Sequence, residues 1–246
     1  MAVVGTPSYA YGFFLDNASV LVEAFERCGK RPAELDRHML LSGRTTLNLT
    51  LIHWANLGVN LWKVQGPATI QLIEGKATYQ TVPNCISVLD MYYTQVNGGG
   101  VGVNTDRIML PISRTEYAEY PNKLAQGTPT VFWFQKDTPI PQVTIYQAPQ
   151  FSAPNYLLNY YWLSRIMDAN VGSGESPDVD YLFYEALCAD LAVQLSRKPT
   201  LVGALPKDLK DDLRARAAEA WTAAATTNRE DSPMTIAPDL GGYWRR

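Results

Sequence analysis

The chain has 246 residues, 46% hydrophobic and 18% charged, with a formal net charge of −3 at pH 7. That length can bury a sizeable core as one large domain or two modest ones, and the composition excludes a disordered chain. The negative balance argues against a protein that holds nucleic acid by neutralising phosphates. No apolar run approaches the ~20 residues of a membrane helix, and the opening MAVVGTPSYAYGFF lacks the basic start and apolar core of a signal peptide. The expectation is a soluble protein made in a cytoplasm, with no membrane partner.

The first sixty residues read as helices. Asn17 or Ser19 can cap a segment whose Val20, Leu21, Ala24, Phe25 and Cys28 share one face, ended by Gly29. Pro32 suits the first turn of a short helix reaching about Leu41. A third helix is predicted from Gly43 to Leu57, with a Leu47, Leu51, Trp54 stripe and Gly58 as a left-handed cap.

From Val64 the period changes from 3.6 to 2. Segments 68–73, 77–81, 86–95 and 107–111 read as strands, punctuated by Glu74-Gly75 and Pro83-Asn84. Asn97 to Asn104 is a glycine-rich hairpin tip. A helical turn is predicted over 114–124 and further strands over 129–136, 142–147 and 156–167, with the prolines between them at turns or edges. The helical period returns with Phe183, Leu187, Leu191 and Leu195. A last helix starts near Pro206 and carries Leu209, Leu213, Ala217 and Trp221.

The expected fold is α+β: a helical body with an inserted antiparallel β domain and an extended C-terminal tail. Its parts would be 1–63 (N-terminal helices), 64–168 (the β insertion), 169–227 (C-terminal helices packing on the N-terminal ones) and 228–246 (a docking tail). The tail carries Met234, Ile236, Leu240, Tyr243, Trp244 and Arg245, too apolar for an ordinary floppy terminus, so it reads as a segment that orders on a partner.

No catalytic constellation stands out. His38 and His53 are the only histidines and no nucleophile motif lies near either. Cys28, Cys85 and Cys188 lack metal-ligand spacing. The loop of Gly98, Gly99, Gly100 and Gly102 lacks the register of a phosphate cradle and reads as a tip facing a lumen or a neighbour. Acidic pairs such as Asp178/Asp180 and Asp211/Asp212 sit on solvated segments, unlike the cleft carboxylates of a glycosidase. No catalytic residue, cofactor or metal is expected.

One pattern does point to a family. Leu47-Asn48, Trp54, Gly58, Leu61-Trp62 and the Gly75-to-Tyr79 strand start combine with Arg114, Tyr117, Lys123, Gly127, Pro129 and a closing Asp239-Leu-Gly-Gly-Tyr243. Together they resemble the head-to-tail adaptor (tail-completion, connector) proteins of short-tailed bacteriophages. The resemblance implies a virion structural protein at the head–tail junction, assembled as a twelvefold ring beneath the portal protein. Such a ring would extend the DNA channel, pass double-stranded DNA without reading its sequence, and receive tail nozzle and fibre proteins. The segment 228–246 would dock on the portal. The rivals are another tail structural protein, such as a nozzle or minor head protein, and a virion cell-wall-degrading enzyme.

Overall fold

The structure, a computed structural model, describes residues 13–57, 61–96, 104–151, 156–171 and 174–228. Helix α1 (Asn17–Arg27) is capped by Asp16, whose carboxylate accepts from the Ser19 N–H at 2.7 Å. Asn17, a cap candidate by sequence, is instead buried and donates from Nδ2 to the Asn170 carbonyl. Gly29 follows in the left-handed region at φ 79°, as its position after the apolar stripe predicts.

Helix α2 (Arg37–Ala55) merges what the sequence suggested were two helices; only a 3-10 turn at Pro32–Glu34 precedes it. Asp36 caps it through the Met39 N–H. Gly43 is not a helix start but the point where α2 crosses α1: a Cβ there would lie 2.9 Å from Leu21 Cδ2 and 3.2 Å from Phe25 Cε2. Close packing outweighs the ~1 kcal/mol that glycine costs inside a helix.

The strands are β1 (Val64–Gln71), β2 (Thr78–Gln80), β3 (Cys85–Gln95), β4 (Thr105–Pro111), then helix α3 (Arg114–Glu119), β5 (Gln126–Gly127), β6 (Val131–Gln135), β7 (Gln142–Tyr146), β8 (Ala148–Pro149) and β9 (Tyr156–Ser164). Seven form one sheet in the order β1-β9-β3-β4-β6-β7-β2, while β5 and β8 pair separately. Residues of alternate parity, among them Met91, Tyr93, Met109, Phe132, Ile145, Leu158 and Tyr160, line the inside of its curl as one core.

Helices α4 (Tyr184–Ser196), α5 (Pro199–Val202) and α6 (Lys207–Thr227) complete the described chain. Ten of the residues of α4 are buried, so it is enclosed rather than half-faced. Its neighbours α1, α2 and α6 share its core, with Trp54, Trp62, Phe183 and Trp221 in mutual ring contact at 4.5–6.0 Å.

This architecture overturns the expected helical body with an inserted antiparallel β domain. The described residues are 41% helical and 26% strand, built on a curled, mixed seven-stranded sheet. The β4–β6 pair is parallel, Leu110 against Val131 and Pro111 against Phe132. Side-chain alternation reports which face a residue takes, not which way its strand runs. The deciding feature is residues 112–130, a connection through α3 long enough for the crossover that parallel neighbours require.

The sheet is also sewn to the helices. Asn48 accepts from the Ala169 N–H at 2.7 Å and donates to the Ala169 carbonyl at 3.1 Å, and Arg44 Nε reaches the same carbonyl. Lys63, buried at the start of β1, pairs with Asp178, which also accepts from the Met167 N–H. Removing one member of a buried pair leaves the other charge without compensation. Lys63→Met is therefore expected to lower unfolding stability by about 3 kcal/mol, read from the urea midpoint at constant slope; a loss below about 1 kcal/mol would make the pair incidental.

Candidate functional site

Both sets of residues that the sequence singled out for function lie outside the described residues. These are the portal-docking candidates Met234, Ile236, Leu240, Tyr243, Trp244 and Arg245, and the loop glycines Gly98, Gly99, Gly100 and Gly102.

Several of the chemistry-bearing side chains that are described have structural partners, and the two histidines face solvent. His38 and His53 are exposed, at opposite ends of α2. Asp211 pairs with Arg214 and Asp212 with Arg216 along α6. Asp180 caps the turn Tyr181–Phe183 through the Leu182 N–H. Among the described residues the carboxyls with displaced acidity move down: Asp16 and Glu116 through hydrogen bonds at helix caps, and Glu185 through the Arg27 guanidinium. A general acid needs the opposite shift. Among the described residues no group of three or more His, Cys, Asp or Glu could hold a metal.

Several of the described residues that carry the family resemblance, Tyr117, Lys123 and Gly127, have definite work in the fold. Ser113 and Glu116 form a reciprocal capping box at the start of α3. Tyr117 packs on Trp133 at 5.5 Å, Lys123 lies over the Tyr117 ring, and its ammonium donates to the Ala118 and Tyr120 carbonyls. Tyr120 stacks on Tyr146 at 4.1 Å. Gly127 sits under Gln147, where a Cβ would lie 1.9 Å from Oε1 and 2.8 Å from the amide carbon. Tyr117, Tyr120, Lys123 and Gly127 thus build a clasp that holds the β4–β6 crossover against β6 and β7.

What the surface offers is places to dock. A concavity of about 1030 Å³ runs between α1 and the start of α4. Phe13, Phe14, Val22, Tyr181 and Tyr184 line it, with Phe13 and Phe14 74% and 70% exposed. Its rim carries Glu23, Glu26 and Glu185 around one cation, Arg27, which holds Glu185 bidentately at 2.7 and 2.8 Å. A second apolar surface is the outer face of α2, where Leu41, Leu49 and Ile52 are exposed. A third is β4, with Ile108 and Leu110 exposed and only Leu110 and Pro111 paired to β6.

The sequence reading passed over all three. The groove joins Phe13 to Tyr181, residues too far apart in the chain for any local pattern. The α2 surface did have a signal: Leu41, Leu49 and Ile52 lie off the inward Leu47–Leu51–Trp54 stripe. No family model matches the chain, and none of the curated proteins compared with it matches either. Among the described residues no helix is long and apolar enough to cross a membrane.

The three cysteines are buried and free. Burial pushes the Cys28 and Cys85 thiols up to about 11 and Cys188 to about 12, far from the thiolate a nucleophile needs. Iodoacetamide at pH 8 is expected to modify none of them in the folded protein and all three in urea, counted by intact mass. Modification of any one without unfolding would mark it as accessible and reopen a redox or nucleophilic role.

Proposed function

We propose that the chain is a structural virion protein, the head-to-tail adaptor of a short-tailed bacteriophage. It joins the portal to the tail nozzle and fibre proteins as a ring that extends the DNA channel. The observation that supports this most is the distribution of exposed apolar side chains. Phe13, Phe14 and Tyr181 at the groove, Leu41, Leu49 and Ile52 on α2, and Ile108 and Leu110 on β4 occupy three different elements of the fold. Exposed apolar patches mark interaction surfaces. A ring subunit between portal and tail needs several of them: two for its lateral neighbours and others for the partners above and below.

The electrostatics agree with a passage for DNA rather than a grip on it. Net charge is −3, and a channel lined to bind phosphates would retard the strand. In this reading Met234, Ile236, Leu240, Tyr243, Trp244 and Arg245 dock on the portal, and the glycine loop at 98–102 faces the lumen or a neighbour.

The test is native mass spectrometry of the full chain, alone and mixed with the portal protein encoded in the same genome. A complex of twelve copies on the portal ring is the expected result, and deletion of 228–246 should abolish it. A chain that ignores the portal overturns the reading; a sixfold assembly would assign it to the nozzle instead.

A further inference from the structure

The outer face of α2 has an unusual make-up. Leu41, Leu49 and Ile52 are 53%, 59% and 46% exposed, although α2 already buries Leu47, Leu51 and Trp54 on its inner side. Leu49 stands as a ridge between two shallow hollows, one shared with Arg44 and the other with Arg197 and Lys198. Those three cations make hydrogen bonds only to uncharged groups. Arg44 donates to the Ala169 carbonyl, Arg197 to the Gln194 amide oxygen, and Lys198 to the Thr46 hydroxyl at 2.8 Å. Among the described residues none of them meets a carboxylate.

The complementary surface lies on the same chain. Toward its C-terminal end α6 exposes Ala218, Thr222, Ala223 and Thr226 around a hollow. Glu219 lines that hollow and, among the described residues, forms no ion pair. Small side chains let another helix approach closely, and ridges of one helix seat in the hollows of the next. A ridge of three large aliphatics flanked by cations fits a hollow of small side chains holding a carboxylate.

We infer that the outer face of α2 docks on the C-terminal half of α6 of a second copy. Leu49 enters the hollow at Thr222, and Glu219 faces the Arg44, Arg197 and Lys198 cations. The two surfaces differ, so the contact is heterologous: each copy offers α2 to one neighbour and α6 to the other, the kind of interface that closes a ring. This rests on the adaptor reading, for which it supplies the lateral contact. A nucleic acid is a poorer occupant, because aliphatic side chains lie where phosphates would have to sit.

The experiment uses two full-length variants, Leu49→Asp and Thr222→Trp, each at an exposed position, with circular dichroism confirming the fold. Assembly is followed by native mass spectrometry, alone and on the portal ring. Each variant by itself should lose lateral assembly by at least tenfold in concentration. An equimolar mixture should give pairs and nothing larger, since one intact α2–α6 contact remains per pair. Leu49→Cys combined with Thr222→Cys should give a ladder of disulfide-linked chains on oxidation. Rings indifferent to both substitutions, or a wild-type chain that forms no lateral contact even on the portal, overturn the inference. Portal binding that persists in that case leaves the adaptor reading standing. A ring sensitive to both substitutions that ignores the portal defeats the adaptor reading and keeps the contact.

Discussion

The indole of Trp54 is the constraint around which the helices are arranged. It is 1% exposed, and a buried indole N–H is stabilised by an acceptor. It finds Asp190 on α4 at 2.8 Å, and Gln194 one turn on supports the same carboxylate. That bond fixes the end of α2 against the middle of α4. The ring faces then take Trp221 of α6 at 4.8 Å and Phe183 at 6.0 Å, both edge-on. Phe183 in turn holds Trp62 at 4.5 Å, so the same cluster decides where the chain leaves the helices and begins β1. Elements from near both ends of the described chain meet on one polar bond and four rings.

The sheet inherits its position from that junction. Lys63 follows Trp62 directly, is buried, and must carry its ammonium to a carboxylate. Asp178 supplies it, and in doing so accepts the Met167 N–H beyond the end of β9. The first and the last strands of the sheet, paired from Val64–Leu163 to Gln71–Leu157, are thus anchored at one end by a single charge pair. On the face away from the apolar core the strands are bound by side chains as well as backbone. Thr69 donates to Asn159, Asn159 to Thr94, and Thr94 to Asp106, a chain across β1, β9, β3 and β4. Such a ladder fixes register where apolar packing on that face is thin.

Local features of the chain were legible because local chemistry determines them. The stripe from Phe183 to Leu195 and the stop at Gly29 follow from neighbours within one or two turns. Tertiary events were not. Gly43 reads as a break until Leu21 and Phe25 are seen pressing on it. Asp16 outcompetes Asn17 as a cap because Asn17 is drawn into a bond with Asn170. The parallel β4–β6 pair leaves no mark in a period-2 pattern. The site was still less legible. The resemblance picked out Asn48, Trp54, Tyr117, Lys123 and Gly127, which hold joints in the fold, while the exposed surfaces that could meet a partner lie on residues outside its motifs.

That separation has a consequence for assembly. A lateral contact made by one helix face on another is small beside the ~1,200–2,000 Å² of a stable interface, so free copies would associate weakly. A docking segment at each C-terminus would gather copies on the portal and raise their effective concentration, which strengthens a weak contact without adding to it. In the proposed adaptor, strong axial docking combined with weak lateral pairing would restrict ring closure to the portal surface. The aliphatic ridge of α2, three side chains flanked by cations, would be the weak partner in such a division of labour.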